Sequence, residues 1–239
     1  MGIIRSYLLN LIETASIKNE NNILTFLPER KNSVYLDLGC DDGVKTIVRA
    51  NKIKTNKIKG VEIVKSQANI ARKKLIEVFT TDLNNKLPFI SDSIDIITNN
   101  QVIEHLDDTD FFLTEISRVL KKNGILILST ENLASRHNIF SLVCGFQPFS
   151  MSNFSRKGNI GNPFSLWKSE NKLNKNRYSW LHKRLFSYYG LIDLLKKHGF
   201  NVLDVKTTGY YPFPNFLSHI DKIHGHWITI KAVKIDTKP

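Results

Sequence analysis

Val34-Tyr35-Leu36-Asp37-Leu38-Gly39-Cys40-Asp41-Asp42-Gly43 is the stretch that decides the fold. Val34 to Leu38 reads as a short apolar strand carrying one acid, Asp37, and it runs straight into a turn framed by Gly39 and Gly43. Val44 to Ala50 then has helical spacing. Strand, glycine turn and helix in that order belong to an open α/β sheet. There, ligands bind beyond the carboxyl ends of the strands, and glycine lets backbone approach them closely. The phosphate-gripping form of this turn is G-x-G-x-x-G, with the pyrophosphate on the helix N-terminus. That triplet is missing, and Asp41 and Asp42 stand where a phosphate would sit. The turn suits a neutral or cationic ligand, which leaves a dehydrogenase reading weak.

The segments that follow extend the same sheet. Lys57 to Ile63 reads as a second strand ending in an acid, Glu62, about twenty residues past Gly43, the spacing at which a strand-end acid can grip both ribose hydroxyls. A solvated strand-end acid is the plainer reading of Glu62 alone. Phe79 to Leu83 is a candidate third strand containing Asp82, which could equally be a turn residue before Asn84-Asn85. Ser93 to Asn100 reads as a buried fourth strand, followed by Gln101-Val102-Ile103-Glu104-His105-Leu106. A helix is expected from about Asp108 to Leu120, closed by Lys121-Lys122-Asn123-Gly124. Ile125 to Thr130 is then a fifth strand, apolar throughout as a parallel strand buried on both faces should be.

The combined pattern runs D-L-G-C-x-x-G, then E, then T-D-L, then D-x-I-x-x-N-Q-V-I-E-H-L, then R-V-L-K-x-x-G-x-L-x-L-S-T. It resembles the class I S-adenosylmethionine (SAM) methyltransferase superfamily over roughly residues 30–135. The E-H-L and V-L-K-x-x-G portions are most similar to the branch holding ubiquinone-pathway O-methyltransferases, small-RNA 3′-end 2′-O-methyltransferases and many polysaccharide-cluster enzymes. The resemblance implies SAM as cofactor, held along Asp37, Gly39, Cys40, Asp41 and Gly43. Glu62 would take the ribose, Asp82 and Leu83 the adenine, and Asn99 and Asn100, with Gly39 and Cys40, the methionine end. One departure is local: Asp41 replaces the usual middle glycine of the first motif, so that position needs a backbone conformation that Asp tolerates.

Composition bounds the rest. A chain of 239 residues can bury a full core as one large domain, or as a domain with an insertion. No apolar run reaches the roughly 18 residues needed to span a bilayer. The start lacks the apolar core and cleavage site of a secretory signal, and its M-G-x-x-x-S pattern is short enough to arise by chance. Two cysteines, Cys40 and Cys144, suit a reduced, cytoplasmic setting, with Cys40 a small packed residue rather than a nucleophile. The net charge of +12 reads either as a basic surface for RNA or an anionic glycan, or as lysines scattered over solvated faces. The scatter of Lys45, Lys52, Lys54, Lys57 and Lys59 without interleaved aromatics favours the second.

Four regions result: a helical cover over 1–30, with helices over Ile3–Ile12 and Asn22–Leu27, a SAM-binding core over 31–144, an insert over 145–182, and a C-terminal completion of the sheet over 183–239. The insert mixes aromatics such as Phe149, Phe164, Trp167 and Trp180 with cations such as Arg156, Lys168 and Arg177 around one acid, Glu170. A connection this long is uncommon unless functional or disordered, and its aromatics argue against disorder. It reads as a substrate lid, the alternative being an insertion packed on the sheet flank. Helical spacing from Phe186 to His198, strands over 201–206 and 226–233, and an aromatic turn Tyr210-Tyr211-Pro212-Phe213-Pro214 that could wall the substrate follow. The expected architecture is α/β, doubly wound and Rossmann-like. It has seven mostly parallel strands with helices on both faces, and the resemblance implies that the last strand is antiparallel.

A sulfonium methyl group is already activated, so the enzyme aligns a nucleophile and excludes water. An alcohol acceptor must also lose its proton, to a base or with help from a Lewis-acid metal. The candidates are Glu104, His105 and His182. In the related branch an E-x-x-E-H motif and a later His bind a divalent metal, and His182-Lys183-Arg184-Leu185-Phe186-Ser187 resembles that later segment. Gln101 replaces the first Glu, which places base catalysis by His105 or His182 ahead of metal assistance and leaves no metal ligand assigned. The sequence thus points to an O-methyltransferase for a sugar, glycan or other hydroxylated small molecule. RNA ribose 2′-O-methylation and a non-catalytic SAM- or nucleotide-binding module are the rivals.

Overall fold

A computed structural model of the chain describes residues 2–165, 181–214, 216–217 and 220–235. Seven strands form one sheet: β1 (Val34–Leu38), β2 (Lys57–Val61), β3 (Glu77–Phe79), β4 (Ile94–Asn100), β5 (Leu120–Glu131), β6 (Phe200–Thr208) and β7 (Trp227–Lys234). Their order is β3-β2-β1-β4-β5-β7-β6, with β7 antiparallel to both neighbours and the other pairings parallel. The helices are α1 (Gly2–Phe26), α2 (Val44–Ile53), α3 (Lys65–Arg72), α4 (Thr109–Val119), α5 (Arg136–Val143) and α6 (Tyr188–Lys197). Among the described residues no helix is long and apolar enough to cross a membrane.

The two-residue alternation of strand side chains sorts the core into two layers. Leu36, Leu38, Ile97, Leu126 and Leu128 face α4 and α6, meeting Phe112, Leu113, Ile116, Leu191 and Leu195. Tyr35, Ile96 and Ile127 face the other way, against Ile23 and Phe26 of α1 and Ala50 and Ile53 of α2. The sheet is therefore doubly wound, and strand order reverses between β1 and β4. That switch point is where such sheets open a crevice at the strand C-termini.

Polar residues interrupt the second layer around Asp37. Asp37, next on β1 after Tyr35 and Leu36, is 1% exposed and meets Arg49 Nη1 of α2 at 3.1 and 3.2 Å. Thr46 Oγ1 and Thr98 Oγ1 each donate to its carboxylate at 2.6 Å, and the Tyr35 hydroxyl lies 2.7 Å from Thr98 Oγ1. Arg49 also donates to Glu20 of α1 at 2.7 and 2.8 Å. One carboxylate thus ties β1, β4 and α2 together and reaches α1 through Arg49.

Three boundaries differ from the sequence expectation. The N-terminal cover is one continuous helix, not two. The stripe it buries is Ala15, Asn19 and Ile23, and the first two carry too little apolar signal to mark a helix face. Asn19 is buried because it is bonded: Nδ2 donates to Asn100 Oδ1 at 3.0 Å, while Oδ1 accepts from Ser129 and Thr229. Strand β5 starts at Leu120, which pairs with Ile94, so Lys121 to Gly124 is an irregular stretch inside the strand, with Asn123 at φ 58, rather than a helix stop. Strand β3 ends at Phe79, leaving Asp82 in the turn beyond it.

The first part of the insert is built into the body. Ser150, Ser152 and Asn162 are buried, and Asn162 Nδ2 donates to Ser141 Oγ and the Gln147 carbonyl. Trp167, Lys168, Glu170, Lys172, Lys175, Arg177, Tyr178 and Trp180 lie outside the described residues.

Replacing Arg49 by Met leaves Asp37 buried without its cation. Removing one partner of a buried pair costs about 3–5 kcal/mol. Urea unfolding of Arg49→Met should show a loss of that order, and an unchanged midpoint would remove the pair from its structural role.

Candidate functional site

The turn after β1 carries its strain where the sequence places it. Gly39 has φ 83 and Gly43 φ 80, and Asp41 sits at φ 47, a left-handed conformation that Asp adopts more readily than most residues. At Gly39 a Cβ would lie 2.4 Å from Val102 Cγ2, and at Gly43 2.6 Å from Ile76 Cδ1, so neither position accepts a side chain. Cys40 packs against Gly60, where an added Cβ would stand 2.7 Å from Sγ. Burial, then the charges of Asp37 and Glu62, push its thiol well up, which keeps it an inert packing residue.

Glu62, just past β2, is 9% exposed and aimed by backbone. Its Oε2 accepts from the Asp41 N–H at 3.0 Å and its Oε1 from the Val64 N–H at 2.7 Å. Burial raises its pKa above the ordinary glutamate value, against the pull of those N–H groups. Asp41 is raised too, by burial and then by Asp42.

One cleft runs along the strand C-termini, lined by Asp37, Gly39, Cys40, Asp41, Glu62, Asp82, Leu83 and Asn100 at one end and by Glu104, His105 and His182 further on. Gly43 and Asn99 stand behind it: Gly43 lets α2 approach α3, and Asn99 Nδ2 donates to the Leu38 carbonyl at 3.2 Å. Asp37 lines the cleft, and its carboxylate is held by Arg49, Thr46 and Thr98, so it also shapes the turn. Asp82 Oδ1 accepts from the backbone and side chain of Asn84 at 2.9 Å, the turn role that the sequence left open.

Glu104 and His105 lie on a one-turn 3-10 helix, Ile103–His105, just past β4. His182 arrives from almost eighty residues away because the segment that carries it docks on that turn. The Lys183 N–H donates to the Glu104 carbonyl at 2.8 Å, and His105 Nδ1 donates to the Leu181 carbonyl at 3.0 Å. His182 Nδ1 donates in turn to the Ser150 carbonyl at 2.5 Å. One ligand-type atom from each of Glu104, His105 and His182 lies within 4.8 Å of the others. In each imidazole the carbonyl fixes the proton on Nδ1 and leaves the lone pair on Nε2. Burial lifts Glu104 to about 7, and burial drops His105 to about 4.

The cleft is also lined by Glu131, His137, His226 and Trp227, which sequence reasoning missed, and by Tyr211 of the aromatic turn that it offered as a substrate wall. Glu131 is 5% exposed, with Oε1 3.7 Å from His226 Nε2 and Oε2 3.8 Å from His182 Nδ1. Burial pushes its carboxyl up, but the imidazoles of His226 and His182 overcome that and hold it at about 2. A signal for Glu131 did exist, since it follows an apolar strand just as Glu62 does.

The topology and the glycine-turn crevice define a doubly wound α/β nucleotide-type domain. Residues 36–128 match the family model described as methyltransferase domain. A ubiquinone biosynthesis O-methyltransferase of Pelagibacter ubique is 30% identical over 145 residues, 56% of this chain and 54% of that protein. The chain thus spans about half the length of that curated relative. A SAM-dependent methyltransferase of Thermotoga maritima, described as a possible histamine N-methyltransferase, superposes with a TM-score of 0.63 at 22% identity, covering 97% of this chain and 96% of its own. Geranyl diphosphate C-methyltransferase from Streptomyces coelicolor, solved with S-adenosyl-L-homocysteine, gives 0.58 at 12% identity, over 90% of this chain and 76% of its own. Residues 36–128 are thus similar to a methyltransferase domain, and the chain has the fold of solved SAM-dependent methyltransferases.

The residues fit that cofactor. An oriented acid at Glu62, a backbone cradle free of Cβ at Gly39, and Asp41 and Asp42 where phosphate would sit favour a cationic ligand with ribose hydroxyls. Glu62→Ala should weaken SAM binding about ten- to hundredfold, the value of hydrogen bonds to a charged group. The hydroxyls need the ionised acid, and the Glu62 pKa is raised. Affinity should therefore fall, on acidification, at a pH above that at which an ordinary glutamate titrates. Calorimetry across pH checks both, and flat affinity would take Glu62 out of the site.

Proposed function

We propose that this protein transfers the methyl group of SAM to a hydroxyl oxygen of a sugar or other hydroxylated small molecule. The observation that carries this reading is the convergence of Glu104, His105 and His182 within 4.8 Å, in the same cleft as the cofactor turn. SAM supplies an electrophilic methyl on a sulfonium; when it passes to oxygen, the carbon–sulfur bond breaks, a carbon–oxygen bond forms and the acceptor loses a proton. The chain's residues must align the hydroxyl and take that proton. His105 and His182 each present an Nε2 lone pair in a fixed tautomer, and Glu104 adds a buried carboxylate whose Oε2 accepts from Thr130 Oγ1 at 2.8 Å. Phe149, Ser150 and Phe164 also line the cleft, which supports the insert over 145–182 as part of the acceptor site. The Pelagibacter relative's name, an O-methyltransferase, supports oxygen as the accepting atom.

A second reading has an observation of its own. Two imidazoles whose Nδ1–H groups are held by carbonyls, beside a buried carboxylate, form the donor set of a divalent-metal site. Glu104, His105 and His182 would hold the ion, which would supply Lewis acidity toward the acceptor oxygen.

His105→Gln or His182→Gln should lower the methylation rate about 10²–10⁴-fold while SAM affinity stays near wild type. In the base reading EDTA changes little. In the metal reading EDTA stops turnover and Mg²⁺ or Mn²⁺ restores it. Full activity in both variants would sink both readings. Running the assay with sugars and with RNA decides between those acceptors.

A further inference from the structure

We infer that the inner end of the cleft is a polyol subsite in which Glu131, Tyr211, His226 and Trp227, with His137 beside them, take hydroxyl groups of a neutral acceptor. This rests on the methyl-transfer reading only for what the subsite is used for, not for what it binds.

The subsite is assembled by one antiparallel pairing. Glu131 ends β5 and faces Trp227, which opens β7. His226, immediately before it, is anchored by its N–H on the Gly209 carbonyl at 2.6 Å. Its ring stacks on Trp227 at 4.6 Å and lies 5.3 Å from the Tyr211 ring and 4.7 Å from that of His137. All five residues line the cleft.

Five polar atoms of these cleft-lining residues are buried and lack a hydrogen-bond partner among the described residues: Glu131 Oε2, His137 Nδ1, Tyr211 Oη, His226 Nδ1 and Trp227 Nε1. Buried polar groups in native proteins are nearly always paired, so five orphans at one end of a cleft call for a ligand. Their chemistry selects its class. Trp227 Nε1 only donates, the Glu131 carboxylate only accepts, the Tyr211 hydroxyl does either, and an imidazole Nδ1 does one or the other according to its tautomer. A carboxylate or phosphate would be set against Glu131. An ammonium cannot accept from Trp227. A hydroxyl donates and accepts at once, so a neutral molecule with several hydroxyls pairs the whole set. Glu131 Oε2 lies 3.8 Å from His182 Nδ1, so the subsite adjoins the Glu104–His105–His182 group, and a molecule seated in it would present a neighbouring hydroxyl there for methylation.

The test follows the Trp227 indole N–H in the whole chain, ¹⁵N-labelled at its tryptophans, with and without S-adenosylhomocysteine. The signal is identified by its loss in Trp227→Phe. Methyl glucoside and inositol are titrated as neutral polyols, glucuronate as the charged counterpart. Both neutral probes should move the signal and glucuronate should not. Glu131→Gln should weaken polyol binding about ten- to hundredfold, and Tyr211→Phe, which serves if the first variant does not fold, about two- to tenfold. An unmoved signal, an equal response to glucuronate, or wild-type polyol affinity in the folded variants would overturn the subsite. If the polyol response holds but SAM does not bind, the methyl-transfer reading fails and the subsite stands. If SAM binds and polyols do not, the reverse is true.

Discussion

Everything in the cleft hangs on the Asp37 carboxylate. It sits at the reversal of strand order, where the covering layer would otherwise be apolar, and it is tolerated because a guanidinium and two hydroxyls satisfy it. Those partners come from α2 and β4, and Arg49 carries the network on to Glu20 of α1. The turn over Gly39 to Gly43 is thereby pinned at both ends, by β1 before it and by Thr46 of α2 after it. The backbone strain at Asp41 is then held in place by the Glu62 carboxylate, which accepts that residue's N–H. A structural acid thus positions a binding acid.

The second constraint is the crowding of acids and imidazoles along one line of strand ends. Glu62 lies just beyond β2, Glu104 on the turn after β4 and Glu131 at the end of β5, and each is 9% exposed or less. Their surroundings set them apart. Glu62 is gripped by two backbone N–H groups, Glu104 stands where burial dominates and lifts it to about 7, and Glu131 faces two imidazoles and is held at about 2. The same residue type therefore serves in turn as cofactor grip, reaction-centre group and acceptor contact, within the proposed mechanism.

Much of this was legible in the chain. The parallel strands β1, β4 and β5 showed as apolar runs, and Glu62 was marked by its spacing from the glycine turn. Glu104 and His105 were marked by their place after a buried strand. The middle of α1 was not legible, because its buried stripe is an alanine and a bonded asparagine. Its burial depends on Ser129, Thr229 and Asn100, which are far away in sequence. The Glu131 cluster was not legible as a cluster for a topological reason. His226 and Trp227 stand at the start of their strand, and only the antiparallel run of β7 brings that start beside the end of β5. The alternation of a strand does not reveal its direction.

The account's central claim is that an acidic, glycine-framed turn selects a cofactor with positive charge and a ribose, and rejects one with a pyrophosphate. Titrating the wild-type chain with SAM and with NAD in the same calorimeter tests it most directly. The account predicts saturable heat with SAM and none with NAD. Binding of NAD without binding of SAM would contradict it.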